Sequence, residues 1–485
     1  MPNSNYNEES FYFLHIDSVC RSPAITCSAN ISVIDAARLM REQNIAGLVV
    51  VAEEAPIGIL SVGDFRDLIA TAGENLAGYK VCDIMHVGVI SVRRQSYVFE
   101  AIFKMARNNI HRLAVINDEQ QLVGIVNATD LLSQQTRSPL YLNQEMEAAD
   151  SIDELQKING RIIEMVRSAM SAGADTRSLV QLIAHFNDGF TQRIITLLEN
   201  LEGISLPAKA AYLALGSEGR NEQTLRTDQD SAMVYADDIT PAELDECARF
   251  ADRLVDTLDF VGIPRCPGNT MASNPQWRHS LTEWQQILEH WISVPKGENM
   301  VNFGMFQDFR TIYGDDSLEK ALHKFIYAST QRTKLFFPCV AKNIVRFQVP
   351  LGVFGRLKVE HNGTNRGKID LKKAGIFAIT EGASLLALEN NIDRGTTLDK
   401  LGMLEQLGVL STDDSETISE AFIYLVNLRL QRQLSDLATG ETPGNAIDPQ
   451  RLPGKSQKQL REALHGVKLF LRIIHNHYQL DFIPN

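Results

Sequence analysis

The stretch Gly216-Ser217-Glu218-Gly219-Arg220-Asn221-Glu222, followed by Thr227-Asp228-Gln229-Asp230, lies between two short apolar runs, Ala211 to Leu215 and Ser231 to Tyr235. Both runs read as strands, so the first delivers Gly216 and Ser217 into a turn. Glycine there lets the backbone come close to a ligand, and turn amides and hydroxyls grip phosphate. Arg220 adds a fixed positive charge. Asp228 and Asp230 open the second strand, and their i, i+2 spacing sets both carboxylates on one face. Two carboxylates about 4 Å apart repel by roughly 4 kcal/mol at an effective dielectric near 20, so the pair needs protons or a cation. Mg²⁺ (or Mn²⁺) bridged to substrate phosphates meets that need. A third carboxylate would complete a two-metal site. The candidate is Asp308, in the strand-like stretch Phe303 to Arg310, and its other reading is a salt bridge to Arg310.

Upstream, the chain repeats itself. Val33, Ala36, Ala37 and Met40 stand at i, i+3, i+4, i+7, and the same stripe returns 65 positions later at Val98, Ala101, Ile102 and Met105. Each stripe is followed by a short apolar strand, an acidic turn and a second strand. The units close on Gly58-Ile-Leu-Ser61-Val-Gly-Asp64 and Gly124-Ile-Val-Asn127-Ala-Thr-Asp130. An aspartate there caps a helix or serves a ligand; both readings stand.

The 485 residues predict about three domains at roughly 150 residues each. A net charge of −13 argues against a general nucleic-acid binder, which needs a basic face. No apolar run approaches the ~20 residues of a membrane span, and Glu8 and Glu9 replace a basic leader. The six cysteines form no CxxC pair, so zinc and a disulfide framework are not expected and a cytoplasmic location is. Helical periodicity covers 141–203 and returns from about Leu318 to the end. Ser280 to Glu283 fits a capping box, and Trp284 and Trp291 belong to the core stripe of the helix after it. Gly363 to Ile369 resembles a P-loop superficially, but its spacing is too short. Arg429 and Arg432 have two readings, facing a cleft or solvated helix charges, and the second is the expected one.

The repeated unit with its Gly-h-h-(Ser/Thr)-x-x-Asp ending resembles tandem CBS domains over roughly residues 16 to 135. The resemblance implies a βαββα pair that self-associates as a homodimer and binds an adenosine nucleotide. Asp64 and Asp130 would hold ribose, with Ser61 and Asn127 beside them, although Asn127 departs from the usual hydroxyl. The Gly-Ser turn followed by Asp-x-Asp resembles the polymerase-beta-like nucleotidyltransferase fold, and the fuller Gly-x-x-Gly-Arg-x-Glu string is similar to the PII-protein uridylyltransferases. By that resemblance Gly216 and Ser217 bind the triphosphate, and Asp228, Asp230 and Asp308 hold metal. Arg220 and Glu222 match the branch motif without an assigned role. Asn187-Asp188 with Arg193, Cys266-Pro-Gly268, Trp277-Arg278, Asp308-Phe-Arg310 and Ile369-Asp370-Leu371-Lys372 extend the match to a family that joins CBS pairs to a nucleotidyltransferase domain.

The expected architecture is α/β plus α. It comprises a tandem CBS pair over 11–137, a helical connector over 141–203, a mixed-sheet catalytic domain over 204–317 and a mainly helical domain over 318–485. The expected function is Mg²⁺-dependent transfer of a nucleoside monophosphate from an NTP to an acceptor, a protein among the candidates, under CBS control. The alternative is a non-catalytic adenosine-nucleotide sensor or scaffold that uses the CBS pair.

Overall fold

The computed structural model describes residues 14–43, 45–53, 55–72, 76, 78–128, 131, 139–225, 227–352, 355–361, 363 and 365–482. The chain divides into two compact units, Met1–Glu145 with Glu164–Ala174, and Met146–Ile163 with Asp175–Asn485.

In the first unit, β1 (Thr26–Ser28), α1 (Val33–Glu42), β2 (Gly47–Ala52), β3 (Ala55–Ser61) and α2 (Val62–Ala72) precede β4 (His86–Val87). The order returns as β5 (Ser91–Arg93), α3 (Val98–Asn108), β6 (Arg112–Ile116) and β7 (Leu122–Asn127). Thr26 pairs in parallel with Val49, and the same pairing 65 positions on joins Ser91 to Ala114. The sequence repeat is therefore a repeat of strand register. Val33, Ala36 and Met40 are buried, as are Val98, Ala101, Ile102 and Met105, whereas Ala37 is exposed. The Ser32 side chain caps α1 by accepting from the Asp35 amide.

The segment expected as a connector forms α4 (Pro139–Ala148), α5 (Ile152–Ser171) and α6 (Thr176–Leu197). α6 is part of the second unit's core: Leu179, Leu182, Phe186, Phe190 and Ile194 are buried. Around it the chain builds β8 (Ala210–Ala214), the single turn α7 (Gly216–Gly219), β9 (Ser231–Tyr235), α8 (Pro241–Val261), β10 (Arg278–Ser280), α9 (Leu281–Ser293), α10 (Glu298–Phe306) and β11 (Arg310–Gly314). The four strands form one mixed sheet in the order β10-β9-β8-β11, with β10 parallel to β9 and the other pairs antiparallel. Every residue of β8 and β9 is buried, as expected for strands covered on both faces. α9 starts on the Ser280–Glu283 capping box, and the Trp284 indole donates to the Met233 carbonyl at 2.8 Å, which fixes the helix across the sheet.

One expected strand is a helix. Phe303 and Phe306 face the core at i, i+3 spacing, pack against Phe336 and Trp284, and close α10. Asp308 therefore lies in the bend between α10 and β11.

The remainder comprises α11 (Asp316–Arg332), α12 (Phe336–Ile344), β12 (Ile369–Asp370), α13 (Phe377–Glu389), α14 (Thr397–Gln406), α15 (Thr412–Thr439), β13 (Ala446–Ile447) and α16 (Gly454–His477). β12 and β13 pair antiparallel. One continuous apolar core runs from Val180 on α6 through Leu213 and Trp284 to Ile418 and Phe470, so the sheet and these helices share their interior. Among the described residues no helix is long and apolar enough to cross a membrane.

Candidate functional site

β8 ends at a turn that favours glycine. Gly216 has φ +53, and a Cβ there would stand 3.5 Å from Asp230 Oδ2. The Leu215 amide donates to the Asp230 carbonyl at 2.8 Å, which brings the turn and the acidic strand start together. Gly219 is more tightly constrained, because any Cβ would collide with the Asp308 carbonyl. Arg310 holds this turn from outside. Its guanidinium donates to the Glu218 carbonyl at 2.9 and 3.1 Å and to Asp188 at 2.6 Å. That gives Asp188 and Arg310 a positioning role that spacing alone did not show.

The turn opens on a cleft of about 770 Å³. Gly216, Ser217, Arg220, Glu222, Asp228 and Asp230 all line it, six positions that the motif singled out. Among the described residues Asp228 has no hydrogen-bonding or ion-pair partner, although Lys372 and Arg429 lie within reach of its charge. Asp230 is pushed up to about 6, by burial first and by neighbouring Asp228 as well, while a hydrogen bond from Cys266 and the charge of Lys372 pull the other way. Glu218, behind the turn, is pushed up to about 8 by burial, with Asp188 adding to the shift and Arg310 opposing it.

Asp308 is not in the cleft lining. Its Oδ2 accepts from Arg220 and from the Ser384 hydroxyl, each at 2.8 Å, and its Oδ1 pairs with Lys400 Nζ. Asp308 and Lys400 are both buried. Burial alone would raise the carboxyl, but Lys400 and Arg220 outweigh it and hold it at about 2. Both Asp308 oxygens are thus committed to Arg220, Ser384 and Lys400, and its ion-pair partners are Arg220 and Lys400 rather than Arg310. Among the described residues, no three His, Cys, Asp or Glu side chains are grouped to hold a metal. Arg220 also pairs with Glu222 at 3.0 Å, and Glu222 accepts from the Thr397 amide and hydroxyl. One buried network thus ties the turn to α13 and α14.

The cleft has cationic side chains as well. Lys372, Lys373, Arg346 and Arg429 line it. Lys372 Nζ stands 5.2 Å from the Phe377 ring centroid, and burial lowers its pKa. Arg429, expected as a solvated charge, is buried, donates to Asn445 at 2.7 Å and is brought down to about 10 by burial. Its place in the sequence carried the signal: it stands four residues after Leu425 and three after Val426, on the buried stripe of α15. Arg278 donates to the Ala272 carbonyl at 2.9 Å and is occupied there.

In the first unit a cleft of about 370 Å³ is lined by Arg21, Ala46, Gly47, His111, Arg112 and Asn127, among others. Ser61 and Asp64 are not in its lining. Asp64 Oδ2 accepts from the Ser61 amide at 2.6 Å and hydroxyl at 2.8 Å, and Oδ1 stands 2.9 Å from His86 Nε2, a capping arrangement at the start of α2. Asp130 lies outside the described residues.

Comparison with known proteins fits this division. CBS domain models match residues 16–71 and 81–158. "Putative nucleotidyltransferase DUF294" matches 160–298, and "Putative nucleotidyltransferase substrate binding domain" matches 334–478. The chain therefore carries a nucleotidyltransferase-type domain joined to CBS domains. It belongs to the DUF294 family in which CBS domains accompany these two modules. Among curated relatives, Uncharacterized protein MK0525 of Methanopyrus kandleri is 32% identical over 132 residues, 27% of this chain and 67% of that protein. Uncharacterized protein MJ1232 of Methanocaldococcus jannaschii is 29% identical over 107 residues, 22% of this chain, and the chain spans only 34% of its length. Among solved structures, the CBS domain pair of protein MJ0100, in complex with 5'-methylthioadenosine and S-adenosyl-L-methionine, is 27% identical. That match covers 25% of this chain and 94% of that one, at a TM-score of 0.23.

Proposed function

We propose that the second unit transfers a nucleoside monophosphate from an NTP to an acceptor, releasing pyrophosphate, on a polymerase-beta-like catalytic sheet similar to that of the uridylyltransferases. The observation that carries this reading is one cleft lined by a glycine-serine turn, the Asp228 and Asp230 carboxylates, and the cationic side chains of Arg220, Arg346, Lys372, Lys373 and Arg429. The residues fit a divalent cation: two acids on one strand start face the cleft, one lacks a partner among the described residues and the other is pushed up by burial. Asp228 and Asp230 would hold Mg²⁺ or Mn²⁺, which supplies charge neutralisation at the phosphates. Ser217 and the turn bind the triphosphate, and Lys372, Lys373 and Arg429 grip its oxygens. Incubation with each α-labelled NTP, Mg²⁺ and cell extract should label an acceptor. Lys372→Ala should weaken triphosphate binding about 10- to 100-fold by calorimetry, the loss of one charge-assisted contact. No label with any NTP would remove the enzyme reading.

The CBS pair supplies a second site in this proposal, an adenosine nucleotide held in the cleft beside Asn127, controlling the transferase from within the same chain. The cleft volume suits a mononucleotide, and Arg21 and Arg112 supply positive charge for its phosphate. AMP should bind one per chain by calorimetry, and Asn127→Leu should abolish that binding while NTP binding in the second unit persists. AMP binding without any labelling activity would leave the chain a sensor or scaffold.

A further inference from the structure

Glu381 is an acid in a helix that is otherwise apolar from Phe377 to Leu388 apart from Thr380 and Ser384, and it lines the same cleft. Its Oε2 accepts from Gln307 Nε2 at 2.8 Å, and Oε1 has no hydrogen-bonding partner among the described residues. The opposing position on α10 is glycine: a Cβ at Gly304 would stand 2.9 Å from Oε2, so this carboxylate occupies space that a side chain would fill. One helical turn from Gly304 stands Met300, and one turn from Glu381 stands Phe377, both in the cleft wall. Phe377 in turn lies against Lys372, the neighbour of Asp228 and Asp230. Arg220 is felt electrostatically by both Asp230 and Glu381. The acid thus stands beside the phosphate end of the cleft, in an apolar surround, with one oxygen free.

We propose that this part of the cleft receives an acceptor with an apolar body and a hydroxyl nucleophile, and that Glu381 takes the hydroxyl proton. The inference rests on the nucleotidyl-transfer reading above. The acceptor oxygen bonds to the α-phosphorus, the α–β bridging P–O bond breaks, pyrophosphate leaves with that bonding pair, and the proton passes to Glu381 Oε1 and then to solvent. The charges facing Glu381 are Arg220, Asp308 and Lys400, and Gln307 orients it. Burial pushes its carboxyl up to about 7, helped by Asp308 and opposed by Arg220 and Lys400, so it holds and releases a proton near neutrality.

The test uses the full chain, α-labelled NTP and Mg²⁺, with phenethyl alcohol as the apolar hydroxyl probe, glycerol as the polar one and cell extract as the general acceptor source. Wild type should label phenethyl alcohol at least ~10-fold better than glycerol at equal concentration, about the discrimination given by burying an apolar body. Glu381→Gln should cut that rate about 100-fold or more, leave the NTP dissociation constant within about 2-fold, and remove the acidic limb near pH 7 from the rate profile. A normal melting curve checks that the variant is folded. Labelling of an extract acceptor without labelling of phenethyl alcohol overturns the acceptor class. An unchanged rate or a retained acidic limb in Glu381→Gln overturns its role as base. No labelling by wild type under any condition removes the transfer reading and this one with it.

Discussion

Asp228→Asn with Asp230→Asn is expected to lower nucleotidyl transfer by about 10³-fold or more, since several kcal/mol of charge stabilisation at the phosphates disappears with the cation. The same double variant should melt higher than wild type when no metal is added. The sign follows from Asp230: its folded pKa of about 6 lies above the ordinary aspartate value, so the stability it contributes is present at acid pH and is lost as pH rises through about 6. Asparagine has no such loss, so the gap in melting temperature should be wide at pH 8 and narrow at pH 5. Mg²⁺ should raise the melting temperature of wild type and leave that of the variant unmoved. A variant that still responds to Mg²⁺, or still transfers label, sinks the assignment of the acidic pair.

Asp308 gives the second large effect, on stability. It serves two buried cations, so Asp308→Asn leaves Lys400 without a counter-charge and should cost about 3–5 kcal/mol. Lys400→Met should cost less, because Asp308 keeps Arg220. Combining the two should recover part of the loss, since no unpaired lysine remains. The carboxyl is held at about 2, below its unfolded range near ~3.9. Its contribution is therefore complete above that range and is lost as pH falls through about 2, so denaturant melts at pH 5 and pH 7 should show the same cost. A melt of Asp308→Asn that matches wild type would show the network to be dispensable.

Both halves of the molecule announced themselves through short-range pattern. The 65-residue offset survives as strand register, because each copy must bury the same helix stripe on the same sheet face. The Gly216 to Asp230 motif lands in one cleft because glycine, turn and strand start act over a few residues. Asp308 was misplaced for a complementary reason. Aromatics at 303, 306 and 309 suit a strand or a helix end, and only packing against Trp284 and Phe336 decides between them. Its partners Lys400 and Ser384 are 92 and 76 positions away, a distance over which spacing carries no information. Glu381 and Arg429 were legible only as charges on apolar helix faces, a signal that becomes specific once the facing wall is known.

Through Asp308 and Glu222, Arg220 is tied to Ser384, Thr397 and Lys400, which joins the turn after β8 to α13 and α14. Two walls riveted at their base do not swing apart like jaws. In the proposed transfer reaction, nucleotide and product would then pass the cleft-lining side chains Arg346 and Val301 without a jaw-like opening. Under that reading, turnover is paced by how fast the triphosphate's counter-charges let go, so raising ionic strength should quicken release even as it weakens capture.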